Sequence, residues 1–175
     1  SLSLVEQGNK QLASEMAETA IRLNPRHAEA FAALGETRAE LRDSVGAERA
    51  FATAVDLNPY NPELKARELR FLARTGQKDV ANNGLKDLAA RYPYSAGVWV
   101  CWGDVQLIRG EYADAILSYQ NAIGRTPGLM RAHLGMIECY ARMGNSSETA
   151  LAFQRASEIN PRHPFLLELR RRFSS

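Results

Sequence analysis

The tetrapeptide Asn-Pro-Arg-His (NPRH) occurs at residues 24–27 and again at residues 160–163. The two copies are 136 residues apart, which is four times 34. Prolines fill the same register between them, at Pro25, Pro59, Pro93, Pro127 and Pro161. A fixed period of this length predicts an array of repeated structural units, in which each unit packs on its neighbours, rather than one globular core.

Residues 28–61 show what one unit contains. Apolar residues recur at helical spacing over residues 28–40 and again over residues 44–57, among residue types that favour helix. Proline disfavours helix for the residue before it, so Pro59 ends the second helix. The pair Asn61-Pro62 then provides a cap and a first-turn proline for the next helix. Each unit is therefore predicted to be helix, tight turn, helix and turn.

A second series marks the turn inside each unit. Glycine recurs at the 34-residue spacing at Gly76, Gly110 and Gly144, and Gly8 shares this register, whereas Arg42 breaks the series. A left-handed residue just past a helix satisfies the last carbonyls of that helix and reverses the chain. The series therefore predicts that the two helices of a unit run antiparallel.

The residue types at these positions carry a family resemblance. Residues 28–61 contain an aromatic residue, a Leu-Gly pair, two alanines, a second aromatic residue and a proline: Phe31, Leu34, Gly35, Ala47, Phe51, Ala54 and Pro59. Residues 96–129 repeat this order with Trp99, Trp102, Gly103, Ala115, Tyr119, Ala122 and Pro127. The pattern resembles the tetratricopeptide repeat (TPR) over essentially the whole chain.

The resemblance implies an all-α fold, a right-handed α-solenoid of stacked antiparallel helix pairs built from 34-residue TPR repeats. The expected units are a truncated repeat at 1–27, repeats at 28–61, 62–95, 96–129 and 130–163, and a C-terminal capping helix at 164–175. Repeat 62–95 is divergent. It has Lys65 and Glu68 where apolar residues are expected, and Leu69 where glycine lets two helices touch. We expect looser or shifted packing there.

Composition argues against several classes of protein. The 175 residues carry a net charge of +2, which gives no sign of a polyanion partner. No apolar run approaches the roughly 18 residues that a membrane helix needs. Cys101 and Cys139 lie within helical patterns and are predicted to be buried thiols. No common catalytic or phosphate-binding motif occurs, so we predict a protein that is not an enzyme and needs no cofactor or metal.

The resemblance also implies that the first helix of each pair lines the inner face of the array. The residues opposite the packing stripe of these helices are the candidate partner-binding set: Arg67, Arg70, Arg74, Glu36, Glu40, Asp104, Ile108, Arg131, Glu138 and Arg142. The three arginines of residues 67–74 form a basic ridge beside an apolar strip that includes Ile108. Such a groove suits a peptide with acidic and aliphatic side chains. Alternatively, the ridge is a structural charge ladder neutralised by the acids in register with it.

We therefore predict a non-catalytic scaffold that binds a peptide segment or partner helix in the concave groove. Helical repeats that read RNA usually carry basic surfaces, whereas this inner stripe is alanine-rich and net acidic, so no nucleic-acid partner is expected. The alternative is an assembly factor of a bacterial secretion, pilus or envelope complex that acts through self-association. The sequence leaves the compartment open between the cytoplasm and, if the protein is bacterial, the periplasm or envelope.

The N-terminal end is the expected route to a homodimer. The chain begins at Ser1 in the middle of a repeat, so we expect an excised or processed fragment. A half-repeat would leave the apolar side of its remaining helix uncovered, including Met16, Ile21 and Leu23. Two such ends could pair.

Overall fold

The computed structural model describes residues 2–173, with side chains from residue 8 onward. Within this range the chain forms ten helices and no strand. They are α1 (Leu2–Leu23), α2 (Ala28–Glu40), α3 (Ser44–Leu57), α4 (Pro62–Arg74), α5 (Lys78–Arg91), α6 (Ala96–Arg109), α7 (Tyr112–Arg125), α8 (Met130–Arg142), α9 (Ser146–Ile159) and α10 (Pro164–Phe173).

The helices stack as antiparallel pairs into a right-handed α-solenoid, as the sequence predicted. The pairs are α2 with α3, α4 with α5, α6 with α7, and α8 with α9. The first helices of successive pairs pack against one another, while the second helices pack only on first helices within the described range. The first helices are therefore the closer-spaced layer and form the concave side, and the second helices form the convex side.

Left-handed residues make the turn inside each pair. Gly76, Gly110 and Gly144 have φ angles of 106°, 83° and 71°. Arg42, which breaks the glycine series in the sequence, adopts the same conformation with φ of 65°. Arg42 thus keeps the turn geometry of the glycines, although the left-handed conformation is unfavourable for a residue that has a side chain. Gly8 shares the register but lies inside α1, which continues through it.

Small residues let the two helices of a pair approach. A Cβ atom on Gly35 would lie 3.0 Å from the ring of Phe51, and one on Gly103 would lie 2.7 Å from the ring of Tyr119. The divergent repeat reverses this arrangement. Leu69 projects from the first helix, and Gly84 on the second helix yields the space, because a Cβ there would lie 2.9 Å from Leu69 Cδ1. Leu69 is accordingly buried.

A recurring hydrogen bond joins the starts of neighbouring first helices. Glu29 at the start of α2 accepts from Asn61 Nδ2 at 3.3 Å, and Asn61 is the N-cap of α4. Glu63 at the start of α4 accepts from Ser95 Oγ at 2.8 Å, and Ser95 is the N-cap of α6. The cap of each helix is therefore also a contact to the preceding repeat. Gly97 follows in the same register, and the Glu63 carboxylate occupies the space that a side chain there would need.

The two ends of the array differ. In α10, Leu166 and Leu169 are buried, whereas Leu167 is 40% exposed. Each residue of a helix turns by about 100°, which carries Leu167 away from the face of its neighbours. None of the helices in the described part of the chain combines the length and the apolar character of a membrane span.

At the other end, Ala17 of α1 is buried against Leu34 and Ala50, with Ile21 packed beside them. Ile21 was therefore wrongly grouped with the uncovered apolar residues, whereas Met16 and Leu23 are exposed.

Candidate functional site

A chain of charged side chains crosses the concave face. Glu36, Arg70 and Asp104 occupy the same register position on α2, α4 and α6. Arg70 donates from Nη2 to Glu36 Oε1 at 2.8 Å and from Nη1 to Asp104 Oδ2 at 3.1 Å. Arg131 of α8 donates to the same Asp104 oxygen at 2.8 Å. Tyr119 of α7 donates its hydroxyl to Asp104 Oδ1 at 2.9 Å. The arginine–carboxylate pairs thus link the four first helices α2, α4, α6 and α8.

The middle of this chain is shielded from solvent. The side chain of Asp104 is 8% exposed and that of Arg70 is 14% exposed. Burial lowers the pKa of Arg70, but Cys101, Asp104 and Glu36 outweigh this effect, so the pKa is raised and the guanidinium stays charged. Burial raises the pKa of Tyr119 well above its ordinary value, and Asp104 adds to the rise, so the phenol remains a hydrogen-bond donor. A buried charge is tolerated when it is paired and hydrogen-bonded, as both charges are here.

The other two arginines of the predicted ridge differ from Arg70. Arg67 pairs with Glu29 at 2.9 Å and with Glu36 at 3.7 Å, and about a third of its side chain is exposed. Arg74 lies exposed in the last turn of α4 and makes no ion pair in the part of the chain that the structure describes. Two of the three ridge arginines are thus paired with carboxylates of the neighbouring helices.

The remaining predicted residues lie on both sides of this chain. Glu138 of α8 pairs with Arg142 at 2.6 Å and lies 3.8 Å from Arg172 of α10. Glu40 is exposed at the end of α2. Ile108 is half-buried and packs against the core between α4, α5 and α6. These contacts leave the concave surface near charge balance along most of its length.

Two cavities lie along the concave groove. The first has a volume of about 420 Å³ and is lined by Glu36, Glu63, Arg67, Arg70, Ala96, Gly97, Val100, Cys101, Thr126, Leu129 and Arg131. The second has a volume of about 310 Å³ and is lined by Asp104, Leu107, Tyr119, Arg131, Leu134, Gly135, Glu138, His163 and Phe165. Arg131 belongs to both cavities and lies between them. Sequence reasoning missed Leu129 and Phe165, because Leu129 precedes α8 and Phe165 belongs to the capping helix α10.

Neither cysteine is a reactive thiol in the folded chain. Burial raises the pKa of Cys101 to about 11, although Arg70 offsets part of the rise. Burial, followed by the Glu138 carboxylate, raises the pKa of Cys139 to about 12. Because the thiolate is the nucleophile, both side chains are inert near neutral pH. Cys101 therefore contributes apolar surface to the first cavity.

The tetratricopeptide repeat family model matches residues 1–62 and 100–164. The chain belongs to the tetratricopeptide repeat family. The unmatched residues 63–99 contain most of the divergent repeat, in which Leu69 and Gly84 reverse the usual packing. TPR proteins are in general non-catalytic protein-interaction scaffolds, and the fold supports that role for this chain.

Two curated proteins share this sequence pattern over part of their length. Superkiller protein 3 of Schizosaccharomyces pombe is 26% identical over 153 residues, which is 82% of this chain and 11% of the relative. Lipopolysaccharide assembly protein B of Escherichia coli K12 is 39% identical over 83 residues, which is 47% of this chain and 21% of the relative. The chain thus spans a small part of the length of either relative.

Solved structures share the fold over nearly the whole chain. TTC0263, a thermophilic TPR protein of Thermus thermophilus, gives a TM-score of 0.75 at 24% identity, covering 99% of this chain and 93% of its own. YrrB, a TPR protein with an unusual peptide-binding site, gives a TM-score of 0.61 at 18% identity, covering 96% of this chain and 87% of its own. MamA of Desulfovibrio magneticus RS-1 gives a TM-score of 0.58 at 18% identity, covering 93% of this chain and 92% of its own. These similarities show a common architecture.

Proposed function

We propose that this chain is a non-catalytic scaffold that binds a peptide segment or partner helix in its concave groove. The observation that carries the proposal is the pair of cavities of about 420 and 310 Å³ that adjoin at Arg131 on the concave face. Their lining alternates apolar groups, such as Val100 and Leu134, with charged groups. A concave, mostly pre-formed surface of this kind is the usual setting for a bound segment.

The charge arrangement narrows the chemistry of the partner. Arg70 has its charge satisfied by Glu36 and Asp104, so it shapes the floor of the groove and offers little to a partner. Arg131 has a side chain that is 57% exposed and uses Nε and Nη2 on Asp104, which leaves further donors for a partner carboxylate. A peptide with aliphatic side chains for the cavities and an acidic group for Arg131 or Arg67 fits this surface.

The test is peptide selection followed by measured affinities. Peptides selected from a displayed library against the folded chain are titrated by fluorescence anisotropy into the parent, Arg131→Glu and Arg49→Glu. Arg49 is an exposed residue of α3 on the convex side, so it is a control with the same charge reversal. We expect at least a tenfold loss of affinity for Arg131→Glu and an unchanged affinity for Arg49→Glu. Equal affinities for all three, with helicity preserved by circular dichroism, would place the selected peptides elsewhere and refute the groove.

We also propose self-association through α1 as a second candidate, consistent with a role in assembly. Leu12 is 56% exposed and Met16 is 65% exposed, and they are one turn apart on the same helix. The similarity to a lipopolysaccharide assembly protein over 83 residues supports this candidate. Sedimentation velocity should show a dimer for the parent and a monomer for Leu12→Lys/Met16→Lys. A parent that stays monomeric at high concentration would rule it out.

A further inference from the structure

The convex side has three grooves between the second helices of the four complete pairs, and the chain fills them differently. The residues that face these grooves recur at the 34-residue period: Lys65 and Glu68 in the first, Trp99 and Trp102 in the second, His133 and Met136 in the third. In the first groove, Lys65 forms an ion pair with Glu68. The grooves are otherwise equivalent by register, so their contents can be compared position by position.

In the second groove, between α5 and α7, the chain supplies its own indoles. Trp99 donates Nε1–H to Pro93 O at 2.9 Å, and Trp102 donates Nε1–H to Asn82 Oδ1 at 2.9 Å. The two rings have centroids 5.4 Å apart. Arg125 places its guanidinium 5.3 Å from the ring centroid of Trp99 and also donates to Pro93 O. Two indoles and one arginine therefore close this groove.

The third groove, between α7 and α9, keeps the polar contact but not the bulk. His133 Nε2 lies 2.8 Å from Pro127 O, the same contact that Trp99 makes one repeat earlier. The imidazole and the neighbouring thioether leave a cavity of about 580 Å³. It is lined by Gln120, Ile123, Gly124, Pro127, His133, Met136, Tyr140, Glu148, Leu151, Ala152, Arg155, Glu158 and Ile159.

A glycine on α7 adds to this opening. Gly124 lines the cavity, and a Cβ atom placed on it would meet no atom within 4 Å. Glycine inside a helix lowers stability relative to alanine, and here neither the backbone conformation nor a close neighbour requires it. The same position one repeat earlier is Ala90, and the position of Arg125 becomes Ile159 one repeat later. The third groove thus lacks the two indole rings, the arginine and a side chain at position 124.

The edge of the cavity has a net negative charge. Glu148 and Glu158 line it together with Arg155, and none of these three forms an ion pair within the described residues. Leu151 and Ile159 are exposed beside them. An apolar pocket with two carboxylates against one guanidinium favours an apolar group next to a positive charge.

We propose that this convex cavity is a binding site for an aromatic side chain of a partner protein, an indole with a basic residue beside it. The partner would supply in the third groove what Trp99, Trp102 and Arg125 supply in the second. The ring would lie between Met136 and Tyr140, where sulfur–aromatic contact is favourable, and the basic group would face Glu148 and Glu158. This site lies on the side opposite the concave groove and does not depend on it.

Methionine methyl signals give a direct test, because the chain has four methionines and only Met136 lines this cavity. The protein is labelled with ¹³C at the methionine methyl groups and titrated with N-acetyl-Arg-Trp-amide. We expect a saturable shift of the Met136 signal from the ring current of the indole, and no shift of Met16, which is exposed on α1. N-acetyl-Arg-Ala-amide should leave Met136 unshifted, and N-acetyl-Glu-Trp-amide should bind at least tenfold more weakly.

Matched glycine variants test the location. Gly124→Leu should fill the cavity and reduce the affinity at least tenfold, whereas Gly8→Leu, also at an open helical position, should not change it. If Gly124→Leu unfolds, His133→Trp supplies the same block. The proposal would be overturned by the absence of a Met136 shift, by equal shifts with the ring-free or acidic peptide, or by undiminished binding to a filled variant. A Met136 shift that grows with protein concentration alone would instead assign the cavity to a second copy and also overturn it.

Discussion

Replacement of Arg70 by methionine removes the charge that joins three first helices while it keeps most of the aliphatic stem. Two ion pairs are lost. Glu36 is 37% exposed, so its pair with Arg70 should contribute about 0–1 kcal/mol. Asp104 is 8% exposed, and a buried charge that loses its partner costs about 3–5 kcal/mol. Asp104 keeps Arg131 and Tyr119, however, which offsets part of that cost.

These terms give an expected loss of about 2–3 kcal/mol in the free energy of unfolding for Arg70→Met. For a chain of this size the loss corresponds to a fall in Tm of about 5–10 °C. Urea unfolding followed by circular dichroism measures the free energy, and an unchanged m-value would show that the folded state is otherwise intact. A thermal melt gives the second number independently.

A double-mutant cycle separates the two partners of Arg70. The coupling between Arg70→Met and Asp104→Asn should be about 1–3 kcal/mol because the pair is buried. The coupling between Arg70→Met and Glu36→Gln should stay below about 1 kcal/mol because Glu36 is screened by solvent. Stability of Arg70→Met within about 0.5 kcal/mol of the parent, or a larger coupling to Glu36 than to Asp104, would refute the burial argument.

Two further predictions follow from packing and from the thiols. Gly135→Ala should lower the free energy of unfolding by about 1–3 kcal/mol, because the added Cβ would overlap the ring of Tyr119. Gly124→Ala should raise it by about 0.5–1 kcal/mol, because the added Cβ meets no atom and alanine favours the helix. Urea midpoints equal to that of the parent would contradict both predictions. Burial raises the folded-state pKa of Cys101 to about 11 and of Cys139 to about 12, so stability should be full below pH 9 and fall as the pH rises through these values. A Cys101→Ala/Cys139→Ala variant should lose that part of the alkaline fall, and thiol labelling of the parent should be slow until the chain unfolds; rapid labelling of the folded chain would contradict the assignment.

The fold could be predicted from the sequence because its signals are local and periodic. Prolines, caps and turn glycines act within a few residues, and the helices expected at residues 28–40 and 44–57 coincide with α2 and α3. The pairing of the arginines could not be predicted in the same way. Register placed Arg70 between Glu36 and Asp104, but only side-chain direction decides whether charges in register meet each other or a partner.

The convex cavity was missed for a different reason. The sequence shows that His133 and Met136 stand in register with Trp99 and Trp102, but it does not show whether space is left. Whether a smaller side chain leaves space depends on how far the neighbouring helices close in, and that is a property of the whole stack. Here α7 and α9 do not close the gap.

The hydrogen bonds that Asn61 donates to Glu29 and that Ser95 donates to Glu63 have a mechanical consequence. Each bond joins the start of one first helix to the start of the next first helix. Gly97 of α6 cannot form the equivalent bond to α8 because glycine has no side chain. We therefore expect the curvature of the array to be stiffer from α2 to α6 than between α6 and α8, which are joined by Arg131 and Asp104 without a bond of this series. Spin labels on α4 and α8 should give a broader distance distribution than labels on α2 and α6; equal widths would contradict this. A groove that is stiffer in its first half can keep its shape near Arg70 and still vary more in width toward α8.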